Sequence, residues 1–318
     1  MPLLLREADV RSLVDINDAI AALDSAFREA GAGQARNQPR RRVTGGATTL
    51  AIMSAALPSR NLIGYKAYTA GRAAGPRFWV HLFDAVDGSL LAIIEADWLG
   101  ALRTGAVSGL ATRALARAAA ATLTLFGAGH QALPQALAVA AVRTLSEIRL
   151  VNRDPGRRAA FASDLRRTLP EVRVLEAASA QEAVAGADIV TTITSAGTPL
   201  FPGSWIEPGQ HLNAAGSNMP NRRELDSRAV ARADLLVVDD LEAARLEAGD
   251  LLLAEQEGAL GWARVHSLAE VIPGSVRRSQ DSDITLFKSV GLALEDVALG
   301  AVVLERAKER GVGQTIDV

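Results

Sequence analysis

The sequence predicts an α/β protein in which a doubly wound parallel sheet follows a smaller α+β region. Three observations support this prediction. Short apolar runs separated by turn residues come before about residue 95, apolar runs alternate with helical patterns over residues 118–288, and the chain ends in a helical pattern. Parallel strands need long crossover connections, so the alternating region is the one expected to form the parallel sheet.

The predicted first domain, residues 1–117, begins with a helix and continues as an antiparallel sheet. Asp15 can cap that helix, because apolar residues recur at helical spacing after it: Ile16, Ile20, Leu23 and Phe27. Four apolar runs predict strands, and a hairpin signal, Asp87-Gly88, joins the last two. These runs are TTLAIMS, IGYKAYT, FWVHLF and SLLAIIE. An Ala-rich helix, which Asp97 can cap, is expected to run to about Arg117.

The predicted second domain, residues 118–288, alternates strands with helices. Its apolar runs are TLTLFG, EIRLVN, VRVLEA, DIVTTIT, QHLNAAG and DLLVVD, and helices are expected from Gln131 and from Asp154. This order predicts a Rossmann-type, doubly wound domain. The last predicted region, residues 289–318, is a helix from about Val290 to Arg310.

The composition excludes several classes of function. The 318 residues carry a net charge of −2 and only 4 % aromatic residues, so neither nucleic acid nor a membrane surface is an expected partner. The chain has no cysteine, which excludes disulfides, zinc–thiolate sites and thiol catalysis. The four histidines lack metal-ligand spacing, so no metal site is expected. Neither a signal-peptide pattern nor a bilayer-spanning apolar stretch is seen, and a cytoplasmic location is therefore expected.

The stretch TLTLFGAGHQALPQALAVAA has a G-x-G-x-x-A spacing at Gly127, Gly129 and Ala132. Taken alone, this spacing is equally compatible with an ordinary strand-to-helix turn in an alanine-rich chain. An apolar run ends directly at Gly127 and a helical pattern begins at Gln131, which is the setting that a dinucleotide-binding loop requires. There, Gly127 permits the tight turn, Gly129 lets a pyrophosphate approach the backbone, and Ala132 lets the helix pack closely on the strand.

The end of the next strand indicates which dinucleotide would bind. An NAD site usually places Asp or Glu there, about 20 residues after the loop, to bind the ribose hydroxyls. In EIRLVNRDP this position holds Asn152 and Arg153, and Arg153, helped by Arg157 or Arg158, can pair with a 2′-phosphate. The sequence therefore favours NADP(H). NAD(H) stays open because Asp154 follows directly, and a solvated charged turn is the alternative interpretation.

Five phrases resemble the ornithine cyclodeaminase/mu-crystallin family, occur in the family's order and cover nearly the whole chain. They are GYKAY at 64–68, LRTGAVSGLAT at 102–112, FGAGHQA at 126–132, NAAGSNMPNRRELD at 213–226 and TLFKSVGLALEDVA at 285–298. The resemblance implies a Rossmann-type domain inserted in a smaller α+β domain that binds substrate and forms a homodimer, with the C-terminal helix returning to that domain.

The same resemblance implies a small amino-acid or imino-acid substrate. Family activities include ornithine cyclodeamination, alanine dehydrogenation and the reduction of ketimines or of cyclic imines such as pyrroline-2-carboxylate. All of them exchange a hydride between a nicotinamide and the Cα of an amino acid or its imine.

The resemblance assigns three basic residues to the substrate carboxylate: Arg42, Lys66 and Arg103. Lys66 lies in an otherwise apolar, aromatic strand, where partial burial would lower its pKa and let it exchange a proton with the substrate nitrogen or with water. The alternative for Lys66 is a side chain that extends to solvent at a sheet edge, and the alternative for Arg103 is an ordinary surface arginine. Arg40 and Arg41 adjoin Arg42, and a shift in the alignment would transfer its role.

Two positions distinguish this chain from the cyclodeaminases. Where those enzymes supply a catalytic aspartate, the phrase GSNMP places Asn218, whose amide cannot act as a base near neutral pH. Asn218 stays a catalytic candidate because it can bond the substrate nitrogen or a water. Where cyclodeaminases tend to have an acidic residue, the run TTLAIMS offers only Ala51, Ile52 and Met53, so a small or hydrophobic substrate side chain is expected.

Further residues are expected at the cofactor. Ser195 lies in the loop after DIVTTIT, with a plain turn residue as the alternative, and Lys288 matches reductase-like members, with a surface lysine as the alternative. The complete set of candidate cofactor contacts is Thr104, Gly127, Ala128, Gly129, His130, Gln131, Asn152, Arg153, Arg157, Thr194, Ser195 and Lys288.

The leading hypothesis is an NAD(P)H-dependent reductase or dehydrogenase of a small α-imino or α-amino acid. The first alternative is an ornithine cyclodeaminase, a lyase that forms proline and ammonia without net consumption of NAD(H). The second is a protein that binds NADP(H) and a small ligand without turnover.

Overall fold

The computed structural model describes residues 1–71 and 75–317 and divides into two compact units. Unit 1 contains Met1–Ala106 and Gly291–Val318, and unit 2 contains Val107–Val290, so one unit is inserted in the other as the predicted fold class requires. The expected boundaries at 117/118 and 288/289 differ from these. The first observed boundary falls inside a continuous helix, Asp97–Leu115, where the sequence offers no break.

Strands and helices are numbered separately in chain order. The strands are β1 (Leu3–Leu5), β2 (Arg36–Gly45), β3 (Thr48–Leu57), β4 (Leu62–Gly71), β5 (Arg77–Asp84), β6 (Leu90–Glu95), β7 (Thr122–Phe126), β8 (Glu147–Val151), β9 (Arg173–Glu176), β10 (Ile189–Thr192), β11 (His211–Ala214), β12 (Leu235–Val238), β13 (Val265–Ser267), β14 (Thr285–Lys288) and β15 (Gln314–Thr315). The helices are α1 (Glu7–Leu13), α2 (Ile16–Gly31), α3 (Asp97–Leu115), α4 (Ala132–Val142), α5 (Pro155–Thr168), α6 (Ala180–Val184), α7 (Ser227–Arg232), α8 (Leu241–Glu247), α9 (Gly249–Gln256), α10 (Leu268–Val271) and α11 (Ala293–Arg310).

Unit 1 is built on a mixed sheet with the strand order β15-β1-β6-β5-β4-β3-β2. The predicted antiparallel strands β3 to β6 are confirmed, and α11 packs on β3, β4 and β5. Alternate residues of a strand face the same side, and in β4 the buried side carries Leu62, Gly64 and Lys66. The strand pattern therefore brings a lysine into the interior.

Several elements of unit 1 were not predicted. The basic run around Arg40 forms β2, an edge strand that contains Pro39 and has a register shift between Gln38 and Arg41. Proline is tolerated at a sheet edge, and a run without apolar alternation gives no strand signal. The connection from β5 to β6 spans residues 85–89 and is longer than the expected two-residue turn.

Unit 2 is a parallel sheet with the strand order β13-β12-β14-β11-β10-β7-β8-β9. From β7 the chain moves outward to β8 and β9, and then returns to β10 on the other side of β7. This reversal is the topological switch point of a doubly wound sheet, where ligands bind beyond the carboxyl ends of the strands. The Rossmann-type prediction is confirmed, although β13, β14 and the short helices α6 to α10 were not foreseen.

Within the described part of the chain, no helix combines the length and the apolar character needed to cross a bilayer.

Candidate active site

Unit 1 buries a lysine and an arginine against one carboxylate. Lys66 is 3 % exposed, and its Nζ lies 2.8 Å from Oδ1 of Asp296 on the first turn of α11. Arg103, on α3, donates from Nε to the same oxygen at 3.1 Å and from Nη1 to Oε2 of Glu295 at 2.7 Å. Met53 is the cross-strand neighbour of Lys66 and is also buried. The structure thus brings together three of the predicted substrate residues.

Burial and charge determine the protonation of this lysine. Burial lowers the pKa of Lys66 from 10.5 to about 8, because removing the ammonium group from water costs more than the attraction of Asp296 returns. The positive charges of Arg103 and Arg40 lower that pKa further. Lys66 is therefore suited to exchange a proton at moderately alkaline pH.

Arg103 behaves differently in the same surroundings. Burial disfavours its charged form, but the carboxylates of Asp296 and Glu295 outweigh burial and raise the pKa of Arg103. Its guanidinium group therefore stays cationic, so it suits the permanent binding of an anion.

The third basic residue that the structure places at this cluster is Arg40 and not the predicted Arg42. Arg40 is buried and donates from Nη2 to the carbonyl oxygen of Gly291 at 3.1 Å, whereas Arg42 is exposed on β2. The register shift between Gln38 and Arg41 changes which side chains face inward. Three consecutive arginines give no indication of where a strand bulges, so the sequence alone did not distinguish them.

Two glycines give the cations their space. A Cβ at Gly100 would lie 2.9 Å from Nζ of Lys66, and a Cβ at Gly291 would lie 2.5 Å from Nη1 of Arg103. Gly291 also has a φ of +78°, which other residues rarely adopt. The backbone of α3 and the start of α11 are therefore shaped around the two side chains.

Glu295 and Asp296 were missed by the sequence analysis. Both are fully buried, although they lie in the quoted phrase TLFKSVGLALEDVA. Adjacent acids at the start of a helix are usually read as favourable to the helix dipole. Their position in an otherwise apolar stretch, ALEDVALGAVVL, was the available signal, because buried carboxylates need buried cations as partners.

In unit 2 the glycine loop has the geometry expected for a dinucleotide site. Gly127 follows β7 directly with a φ of +118°, and a Cβ there would lie 2.4 Å from the carbonyl oxygen of Ile193 after β10. A Cβ at Gly129 would meet nothing within 4 Å. The first turn of α4 follows with Ala132, so its free amides adjoin an open backbone segment at the switch point. These residues fit a pyrophosphate, and Ala128, His130 and Gln131 lie on the same segment.

The end of β8 carries the residues expected at the adenosine ribose. Asp154 caps α5 by accepting a hydrogen bond from the amide of Arg157 at 3.1 Å, and Asn152 accepts one from the amide of Asp154 at 2.8 Å. Nε of Arg158 lies 3.2 Å from Oε2 of Glu176. Arg153 is exposed and makes no ion pair with any residue that the structure describes.

A buried glutamate connects the loops that follow β10 and β11. Glu224 accepts hydrogen bonds from the amide and hydroxyl groups of Thr194, both at 2.7 Å, and from the amide of Gly216 at 2.8 Å. Burial raises the pKa of Glu224, while Lys288 and the Thr194 hydroxyl oppose that rise. Ser195 and Asn218 lie on these two loops, so Glu224 fixes the backbone from which both side chains project.

Lys288 is buried at the end of β14, so its interpretation as a surface lysine is wrong. Its Nζ lies 2.9 Å from Oδ2 of Asp250 and donates to the carbonyl oxygen of Ser217 at 2.7 Å. Lys288 therefore stabilises the loop that carries Asn218. Thr104 is also buried, on α3 in unit 1, where its hydroxyl donates to the carbonyl oxygen of Gly100 at 2.7 Å.

A doubly wound nucleotide-binding sheet and a buried cationic cluster together define a class, the nicotinamide-dependent oxidoreductases of small carboxylates. The model of the ornithine cyclodeaminase/mu-crystallin family matches residues 1–311, and the chain belongs to this family.

Relatives make the class more specific. The chain is 36 % identical, over 99 % of both sequences, to a Δ1-pyrroline-2-carboxylate reductase of Bacillus cereus. Its fold is similar to that of the Thermococcus litoralis Δ1-pyrroline-2-carboxylate reductase in complex with NADH and L-proline (TM-score 0.94, 31 % identity, 99 % and 100 % of the two chains). It is also similar to an archaeal alanine dehydrogenase dimer with bound NAD (TM-score 0.93, 30 % identity, 99 % of each chain). The protein is thus an NAD(P)-dependent reductase or dehydrogenase of the imine and amino-acid class.

Proposed function

We propose that this protein is an NADP(H)-dependent reductase of a small cyclic α-imino acid, with Δ1-pyrroline-2-carboxylate as the first substrate to test. The buried cluster of unit 1 carries the proposal. Lys66 and Arg103 contact the carboxylates of Asp296 and Glu295, and Arg40 adds a third buried positive charge that acts on Lys66. This concentration of basic groups favours a bound carboxylate. The apolar side chain of Met53 beside Lys66 favours a hydrocarbon ring over a charged side chain.

The chemistry needs a hydride at carbon and a proton at nitrogen. NADPH, when bound, would supply the hydride that adds to the imine carbon. The two electrons of the C=N π bond then move to nitrogen, which must receive a proton. In the proposal Arg103 and Arg40 hold the carboxylate, while Nζ of Lys66 donates the proton and recovers it from water. A pKa of about 8 leaves Lys66 mostly protonated at neutral pH, as this role requires.

Asn218 favours reduction over cyclodeamination. Loss of ammonia from ornithine with ring closure needs a base at the amine, and the amide of Asn218 has none to offer. Its loop is fixed by Glu224 and Lys288, which bind the backbone at Gly216 and Ser217. Formation of proline and ammonia from ornithine would contradict this part of the proposal.

The preference for NADP(H) is proposed from the end of β8. Asp154 is engaged as a helix cap, whereas Arg153 is exposed at the position that would face a ribose 2′ substituent. Arg153→Ala is expected to weaken NADPH binding roughly ten- to a hundredfold, the size of a charge-assisted hydrogen bond, and to leave NADH binding unchanged. Arg167→Ala, at an exposed position of α5, is the matched control. Equal loss of NADPH and NADH affinity in Arg153→Ala would contradict the preference.

We also propose that two copies of the chain associate through the sheet of unit 1. Opposite the face that α11 covers, the sheet carries Ile52 and Ile63, each 42 % exposed, and the stacked rings of Tyr65, His81 and Phe83. A groove of about 480 Å³ runs beside them. An apolar surface of this kind is typical of an interface, and the similar alanine dehydrogenase is a dimer.

The cytoplasmic location stays a prediction.

The proposal is tested by the loss of NADPH absorbance in the presence of Δ1-pyrroline-2-carboxylate. Steady turnover is expected, with kcat/KM lowered by roughly a hundredfold or more in Lys66→Ala and in Arg103→Ala. Lys308→Ala, at an exposed position of α11, is the control and should behave as wild type. NADPH binding without turnover on any cyclic or linear imino acid would contradict the proposal and favour a binding protein.

A further inference from the structure

One oxygen atom joins the two cations of unit 1. Oδ1 of Asp296 accepts hydrogen bonds from Nζ of Lys66 at 2.8 Å and from Nε of Arg103 at 3.1 Å. The other oxygen, Oδ2, is buried and accepts no hydrogen bond from any residue that the structure describes. Asp296 is fully buried, so water does not screen these interactions.

The charges around Lys66 come from three elements. Asp296 and Glu295 belong to α11, Arg103 to α3 and Arg40 to β2, while the ring of Phe78 on β5 lies 5.1 Å from Nζ. Glu295 contacts Arg103 at 2.7 Å, whereas the carboxylate that contacts Lys66 directly is Asp296. Asp296 is the carboxylate that directly opposes both burial and the two arginines at this lysine.

We propose that Asp296 is a positioning residue, which holds Lys66 and Arg103 together as a single substrate-binding pair. Without its charge the two cations would repel each other in a dry environment, and Lys66 would lose its proton more readily. The inference rests on the proposed function only in that Lys66 and Arg103 bind the substrate. The effect of Asp296 on Lys66 can be measured without turnover.

The composition of the chain makes this measurement direct. It contains three lysines, Lys66, Lys288 and Lys308, so ¹³C-labelled lysine gives few side-chain signals. Lys308 is exposed and Lys288 is paired with Asp250, so each serves as an internal reference in an NMR titration. Asp296→Asn keeps the shape and an acceptor oxygen but removes the charge. Glu295→Gln is the matched control, because it removes the neighbouring charge that contacts Arg103.

In Asp296→Asn the pKa of Lys66 is expected to fall by about one unit or more, the usual effect of losing an adjacent opposite charge. Lys288 and Lys308 should keep their wild-type values, and Glu295→Gln should shift Lys66 by less than half as much. The kcat/KM for the imino acid should fall at least tenfold in Asp296→Asn, with its alkaline limb moved to lower pH. An unchanged Lys66 titration in a folded Asp296→Asn protein would overturn the proposal.

Gly100→Ala provides a second test if Asp296→Asn does not fold. Its Cβ would crowd Nζ of Lys66, the mobile end of a flexible side chain, and alanine favours the helix. A folded protein with a lowered Lys66 pKa and lowered kcat/KM supports the proposal, and wild-type values of both would overturn it. If the wild type reduces no imino acid but Asp296→Asn still lowers the Lys66 pKa, the proposed function fails while the role of Asp296 stands.

Discussion

Burial lowers the pKa of Lys66 and the neighbouring charge of Asp296 raises it. Burial has the larger effect, so keeping Lys66 charged in the folded protein costs stability. Its ammonium group is almost completely removed from water, and Asp296 compensates only in part. Active sites commonly retain such energetically unfavourable groups because a shifted pKa serves the chemistry. A lysine with a pKa of about 8 is useful as an acid near neutral pH, whereas one near 10.5 releases its proton too reluctantly.

This cost predicts a pH-dependent difference in stability between the wild type and Lys66→Met. Between pH 8 and 10.5 the unfolded chain binds more protons at this position than the folded one. The contribution of Lys66 to the free energy of unfolding therefore becomes more favourable as the pH rises across that window. The cost is present in full below pH 8. One pKa unit corresponds to about 1.4 kcal/mol. The free energy of unfolding of the wild type, measured relative to that of Lys66→Met, should therefore increase by about 3 kcal/mol between pH 7 and 10.5.

Urea denaturation at several pH values measures this difference, with Lys308→Met as the control that should show none. A constant difference between wild type and Lys66→Met across the window would mean that the pKa of Lys66 is not lowered.

At single residues the sequence predicted the cations better than their partners. Lys66 and Arg103 lie in the motifs GYKAY and LRTGAVSGLAT, which carry the family resemblance, and a lysine is unusual in an apolar strand. Arg40 was not distinguished from Arg42 because a bulge, set by packing across β2 and β3, decides which of them is buried. Asp296 was missed because its role depends on contacts with residues roughly 190 and 230 positions away in the chain.

The strand–loop–helix element β7–α4 combines a structural glycine with a ligand-facing one. Gly127 sits in a left-handed backbone conformation and is packed against the chain after β10, whereas Gly129 has open space around it. The two glycines of one motif are therefore expected to fail in different ways when a methyl group is added.

Gly127→Ala should both destabilise the protein, by about 1–3 kcal/mol, and abolish NADPH binding, because its Cβ overlaps the backbone at Ile193. Gly129→Ala should fold with wild-type stability and still bind NADPH at least tenfold more weakly, because its methyl group occupies the space that a pyrophosphate needs. Thermal unfolding and fluorescence titration with NADPH separate the two effects.

Gly261→Ala, which also adds a methyl group in open space in unit 2, is the control and should change neither property. Wild-type NADPH affinity in Gly129→Ala would refute the loop as the pyrophosphate site.

Elements with a clear period were predictable, and those without one were not. The strands β7, β8, β10, β11 and β12 are short apolar runs, and α11 has a long helical pattern. The edge strand β2 and the three-residue strands β1 and β13 have too few alternating residues to be read from sequence, because pairing with a neighbour rather than local preference defines them.

At the scale of the whole molecule, the change of pattern along the chain predicted two kinds of domain, and the family resemblance implied that unit 2 is inserted in unit 1. The exact boundary was not, because α3 continues through it. The apolar outer face of the unit 1 sheet likewise became apparent only from the pairing register of β3, β4 and β5, which places Ile63, Tyr65 and Phe83 side by side.

That face predicts the oligomeric state. The wild type is expected to sediment as a dimer, and Ile63→Asp to sediment as a monomer, because a buried carboxylate without a partner destabilises an apolar interface. Val86→Asp, at a turn residue that is 79 % exposed, should leave the dimer intact. A monomeric wild type at micromolar concentration would contradict the proposed interface.

In the proposed reaction, hydride passes from NADPH to the Cα of an imino acid whose carboxylate is held by the buried cationic cluster of unit 1. Its most direct test is the transfer of deuterium from NADPH labelled at C4, with each of the two stereoisomers, to Δ1-pyrroline-2-carboxylate. With one stereoisomer, we expect proline that carries a single deuterium at Cα in amounts equal to the NADPH consumed. Proline without deuterium from either stereoisomer, or no proline at all, would contradict it.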